Sequence, residues 1–152
     1  MVLGHIAQIT DKPILAVFNS HIHGDHWLGN QAIRAKYPDV PIYGHERVGP
    51  KVIAGAGTEW VELMLSMTEK ATAGTEVVAA DHAVSDGDEL SIAGLTYRVM
   101  NNDKAHTDTD IMVHVEELGV MFLGDNAGHE RILRLEGGSF AGNVEALDNA
   151  LA

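Results

Sequence analysis

The chain contains no cysteine. Disulfides, thiolate metal ligands and cysteine nucleophiles are therefore excluded, and cysteine usage gives no hint of compartment. Basic residues are scarce. Ten Lys and Arg stand against 22 Asp and Glu, for a formal charge of -12. That balance argues against a nucleic-acid backbone or an anionic membrane surface as partner. No apolar run approaches the ~20 residues that a membrane span needs. The start, Met1-Val2-Leu3-Gly4-His5-Ile6, lacks the basic residues and long apolar core of a secretory signal. The expected location is cytoplasmic by default. Repeats, low-complexity tracts and internal linkers are also missing.

What remains is an ordinary globular composition, 45% hydrophobic and 21% charged. A length of 152 residues suits one domain with a real core and is short for two. A single domain over residues 1–152 is expected. Nine histidines are many for this size, and their positions carry the information.

The strongest signal is His21-Ile22-His23-Gly24-Asp25-His26, three imidazoles and one carboxylate in six residues. Neutral imidazole and carboxylate are ligands that Zn²⁺ and its neighbours prefer. The apolar run Ile14–Phe18 before it reads as a strand buried on both faces. Trp27 onward reads as a helix running to about Lys36, where Tyr37-Pro38-Asp39 breaks it. Asp25 can cap that helix, but capping does not account for three histidines beside it.

Further along, Val40–Gly44 is a short strand whose Pro41 favours an edge or a strand start. His45 reads as a surface or capping residue, and Gly49-Pro50 and Gly55-Ala56-Gly57 read as loops. Thr58 is expected to cap a helix that runs to Gly74 with Trp60, Leu63, Met64, Met67 and Ala71 on one core-facing side. Residues 75–84 look extended or irregular. Leu90–Ile92 and Leu95–Met100 form a hairpin. A loop then delivers His106, and strands follow at Ile111–Val115 and Val120–Leu123, the latter ending in Gly124-Asp125-Asn126. Asn143 is expected to cap a last amphipathic helix. Mixed strands and helices with adjacent hairpins indicate an α/β or α+β layered fold. Three strand ends thus carry His21 to His26, His106 and Asp125. Loops at strand ends are where a rigid sheet holds a site.

His-x-His-x-Asp-His after a strand, the later loop histidine in Ala105-His106-Thr107, and a Gly-Asp pair after a further strand resemble the metallo-β-lactamase superfamily. The resemblance runs from about Pro13 to the last helix. It implies an αββα sandwich, here lacking the first strands and the last strand, and a dinuclear centre that usually holds zinc. It implies His21, His23 and His106 on the first metal, Asp25 and His26 on the second, and Asp125 between the two. Zn²⁺, one or two per chain, is the expected cofactor and a small molecule the expected partner. Three histidines leave a tetrahedral zinc one open position for water and lower that water's pKa to ~7. The implied reaction is attack of metal-bound hydroxide on the carbonyl of a β-lactam, lactone, ester or thioester, with Asp25 orienting the nucleophile. The alternative is a truncated metal-binding domain without turnover.

The family's final histidine ligand has no counterpart before Ala152. Truncation is the first explanation. Completion by a homodimer partner is the second, and His129 standing in is the third. His114 is expected to be a packed or surface residue, and His5 and His82 carry no signal.

Overall fold

Two small sheets face each other, and each covers its outer side with helices. The computed structural model describes residues 2–130, 133–135 and 137–152. The chain starts with helix α1 (Val2–Ile9), within the segment expected as a helix tail or loop; Met1 of that segment lies outside the described residues. Strand β1 (Val17–Asn19) leads through the histidine motif to α2 (Asn30–Lys36) and then β2 (Ile42–His45). A helical stretch follows: α3 (Val48–Lys51), a wider turn over Val52–Ala56, and α4 (Gly57–Met67). Strand β3 (His82–Val84) completes a parallel sheet in the order β1-β2-β3. Parallel neighbours need crossover connections, and the helices supply them. The second sheet is antiparallel: β4 (Glu89–Ile92), β5 (Leu95–Met100), β6 (Met112–Val115) and β7 (Val120–Phe122), in sequence order. Helix α5 (Phe140–Leu151) ends the chain.

Three apolar clusters hold these layers together. Val84, Val99, Ile111 and Val113 meet between the sheets, with Phe18, Tyr43 and Tyr97 against them. Phe18 stacks on Tyr43 at 5.2 Å and on Tyr97 at 5.8 Å, so one ring joins both sheets. Trp27, Val48 and Val52 pack the α3–α4 stretch and the histidine motif together, with Ile22 and Trp60 beside them. Ala105, Met112 and Ala146 join α5 to the antiparallel sheet. Burying side chains of this size contributes about 1.5–3 kcal/mol each. The result is helix, sheet, sheet, helix, the mixed α/β sandwich expected from the sequence.

Several local expectations are corrected. The first strand is shorter than Ile14–Phe18 and shifted, because the partner strand meets it only from Val17 opposite Ile42. Pro41 stands just before β2, where it needs no N–H, and its carbonyl accepts from Val17 N at 3.0 Å. The strand it precedes is central, not an edge. The Gly-Pro and Gly-Ala-Gly signals fall inside helix. Pro50 occupies the first turn of α3, where a missing N–H costs nothing. Gly49 is required by contact, since a Cβ there would lie 2.9 Å from Ala80 O.

Thr58 does not cap α4. The helix begins one residue earlier and ends at Met67 rather than Gly74. Leu63 and Met67 are exposed, so that face is not core. Ser139, not Asn143, caps α5, its Oγ accepting from Gly142 N at 3.0 Å. Strand β7 is an edge strand with Val120 and Phe122 exposed.

Candidate metal centre

The parallel strand β1 ends in Asn19, and the chain then makes one short turn over Gly24–His26 before α2. Asp25 caps nothing, because α2 starts only at Asn30. The motif is free to fold back on itself, and its histidines converge. His21 lies 4.6 Å from His23 and 4.1 Å from His26 between ring centroids. The β5–β6 loop brings His106 to 4.8 Å from His21 and 4.9 Å from His23. His106 Nε2 and His23 Nδ1 face each other at 3.1 Å.

Asp125 sits in the turn after β7 and offers one oxygen to each side. Its Oδ2 lies 3.7 Å from His106 Nε2 and its Oδ1 lies 3.5 Å from His26 Nε2. Asp25 Oδ2 is also 3.5 Å from His26 Nε2, on a side chain 62% exposed. Two donor sets result, each with all its ligand atoms within 4.8 Å: His21, His23 and His106, and His21, His26 and Asp125. All six residues singled out in the sequence are brought together, Asp25 through its contact with His26. His129 is not. Its side chain is 91% exposed and faces Glu130. His114 lies in β6, partly buried, and His5 is exposed on α1.

Burial runs steeply through the cluster. His21 and His106 are almost fully buried, whereas the His26 and Asp125 side chains remain 25% and 35% exposed. Burial above all, and then the positive charges that His26, His23 and His106 would carry, hold the His21 imidazolium down to about 2. Burial and His106 lower His23 in the same way. Both rings are therefore neutral near pH 7 and keep a lone pair for a ligand. His21 Nε2 is buried with no hydrogen-bond partner. An orphaned buried nitrogen costs about 1–3 kcal/mol, and a cation held among these atoms would remove that cost. The donor set therefore fits a metal of the zinc or iron type. His106 Nδ1 is likewise buried and unpartnered, which nothing in the structure explains.

Residues that the sequence reading passed over hold the cluster in place. Ser20 Oγ lies 3.0 Å from His21 Nδ1 and 3.1 Å from His26 Nδ1. The buried amides of Asn19 and Asn30 bond each other twice, and Asn19 Nδ2 also donates to His26 O. Ile22 N donates to Thr109 Oγ1, which ties the motif to the His106 loop. Within that loop Thr107 donates from both N and Oγ1 to the buried Asp110 carboxylate. His106 N donates to Asn126 Oδ1, and Asn143 on α5 donates to Asn126 O. Asn19-Ser20 reads only as a strand end. The one available signal was its polarity right before the first ligand candidate. His45, expected as a surface or capping residue, is buried, with Nδ1 accepting from Arg47 N just before α3. Trp27 is core and donates Nε1 to Ile22 O at 2.8 Å. Trp60 does more than fill space, since its ring lies 5.1 Å from that of His23.

A sequence model of the metallo-beta-lactamase superfamily matches residues 4–152. The chain belongs to that superfamily. Among solved structures it is similar to TTHA1623 in a di-iron-bound form, with a TM-score of 0.71 and 20% identity over 99% of this chain and 70% of that one. It is also similar to the BLEG-1 B3 metallo-beta-lactamase, with a TM-score of 0.70 and 22% identity over 97% of this chain and 68% of that one. A curated relative, hydroxyacylglutathione hydrolase of Nostoc sp. (strain PCC 7120), is 44% identical over 43 residues. That match spans 28% of this chain and 16% of the relative. The superfamily fold is of the hydrolase type, and the histidine cluster is its candidate metal site. No helix among the described residues is long and apolar enough to cross a membrane.

Proposed function

We propose that this chain is a metal-dependent hydrolase with a dinuclear centre, acting on the carbonyl of a small ester, thioester, lactone or lactam. The observation that carries the proposal is the pair of donor sets that share His21. His21, His23 and His106 would hold the inner ion through Nε2, Nδ1 and Nε2. His26 and Asp125 would hold the outer one, with Asp25 beside them. Asp125 would span both, since its two oxygens already face different histidines. Zinc is the proposed metal, and iron is the competing outcome because TTHA1623 was solved with two irons. Such a pair supplies an activated water and a Lewis acid for the substrate carbonyl.

The chain's own residues do the rest. His21 and His23, both lowered by burial, keep a lone pair free near pH 7. Asp25, the most exposed carboxylate of the group, is placed at the mouth, where it can accept a hydrogen bond from the attacking water and orient it. Substrate would enter from that side, because His21 and His106 are buried. A cavity of about 250 Å³ is lined by Asn126, Leu133, Leu135 and Phe140. It suits the apolar part of a small acyl substrate. A larger apolar cavity of about 570 Å³, lined by Phe18, Ile92, Tyr97 and Phe122, opens against the sandwich. It carries no charged group for catalysis, so the donor cluster remains the proposed site.

A second reading, metal binding without turnover, is favoured by one observation. Asp25 belongs to neither compact donor set. The test is a panel of a thioester, a lactone and a chromogenic cephalosporin, assayed with the protein loaded with zinc or with iron. The thioester leads because a relative is named hydroxyacylglutathione hydrolase. Turnover of any of the three supports the hydrolase. A protein that holds metal and turns over none supports the second reading.

A further inference from the structure

One side chain touches both donor sets without belonging to either. Ser20 Oγ lies 3.0 Å from His21 Nδ1 and 3.1 Å from His26 Nδ1. His21 is shared by the two sets, and His26 belongs to the outer one. Resting on the metal-dependent reading above, we propose that Ser20 is the positioning residue that selects the tautomer of both histidines and so couples the two metal sites.

The reason is hydrogen-bond arithmetic. A neutral imidazole carries its hydrogen on one nitrogen and its lone pair on the other. His21 Nε2 is buried and has no hydrogen-bond partner. A hydrogen there would be orphaned, so it belongs on Nδ1, where Ser20 Oγ can accept it. His26 has a choice. Its Nε2 faces carboxylate oxygens of Asp25 and Asp125, each at 3.5 Å. Those oxygens would favour a hydrogen on Nε2, the tautomer that cannot bind a metal through Nε2. A hydroxyl oxygen has two lone pairs, so Ser20 can accept from Nδ1 of both rings at once. That arrangement leaves both Nε2 lone pairs free and turned into the cluster.

Ser20 is fixed well enough to do this. Its carbonyl accepts from Ile111 N at 2.7 Å, which ties it to the antiparallel sheet. Gly124, next to Asp125, packs against it so closely that a Cβ there would lie 2.9 Å from Ser20 Cβ. The hydroxyl thus sits between the His motif and the Asp125 turn. A partner that holds the far nitrogen of a ligating histidine is typically worth 10–100-fold in metal affinity. Here one hydroxyl would serve two ligands, so the loss should appear at both ions.

The test is zinc titration of the unmodified chain, Ser20→Ala and Ser20→Thr, with ¹⁵N NMR of the imidazoles in the loaded, unmodified chain. Expected are weakening of both ions by roughly 10- to 100-fold in S20A, near-native affinity in S20T, and Nδ1–H with metal-bound Nε2 for His21 and His26. Unchanged affinity for both ions in S20A overturns the proposal. So does ligation through Nδ1 by either ring. Should S20A fail to fold by circular dichroism, the NMR assignment decides alone. An unmodified chain that binds no metal overturns the metal-dependent reading itself, and this inference with it.

Discussion

The inner and outer halves of the cluster are built from the same residue types and differ in their surroundings. His21 and His106 lie under protein and are held by loops that bond to each other through Ile22 and Thr109. His26, Asp125 and Asp25 sit at the rim, with more open side chains. Burial deprives His21 of its charge and leaves its Nε2 without a partner. Exposure leaves the rim groups solvated and reachable by substrate. The inner half is thus suited to holding an ion and the outer half to meeting a substrate.

The largest way to break this contrast is at one ligand of each half. His21→Ala should remove the inner ion, whereas His26→Ala should remove the outer one; elemental analysis of each variant after zinc loading and desalting distinguishes them. His23→Ala should abolish inner-ion binding and all hydrolysis. Unchanged metal and activity in that variant would sink the ligand assignment. Next in size is Asp125→Ala. It should spare the inner ion and lower hydrolysis by more than the roughly 10- to 100-fold expected for a residue that only supports a ligand. A chain that keeps two ions and full rate would count against a spanning carboxylate.

Packing beneath the inner half predicts a third effect. Trp27 is 1% exposed and donates to Ile22 O. Trp27→Ala should cost about 3–5 kcal/mol in urea unfolding of the metal-free chain. A loss under 1 kcal/mol would show that the motif is held elsewhere.

Acid supplies a fourth prediction. His21 and His23 are both lowered in the fold, His21 to about 2, against an ordinary value of 6.5. Between those limits the unfolded chain binds more protons than the folded one. Stability of the metal-free chain is therefore full above about pH 6.5 and falls as pH drops toward 2. Denaturant midpoints across that range check the slope, and His21→Gln should flatten it. The smallest effect on metal binding is expected from Asp25→Asn. It should leave the ion count unchanged while lowering kcat, because the side chain sits at the mouth.

The ligand candidates were legible because the chemistry demanded rare residues at tight spacing. Histidines at 21, 23 and 26 announce themselves, and His106 and Asp125 follow strands that alternate or run apolar. The layered α/β class was legible for the same reason. What the sequence hid were features decided by tertiary contact. Gly49-Pro50 reads as a loop until the backbone of Ala80 presses against it. His82–Val84 reads only as extended or irregular until it pairs with Tyr43–His45. Leu63 and Met67 read as core, yet they remain exposed. Ser20 and Asn126 carry no periodicity at all, and their partners lie across the fold or around a turn.

The most direct test of the paired centre is the metal content of the unmodified chain after loading and desalting. The pair of donor sets predicts two ions per chain. A chain that retains one would contradict the outer set, and a chain that retains none would contradict the centre altogether.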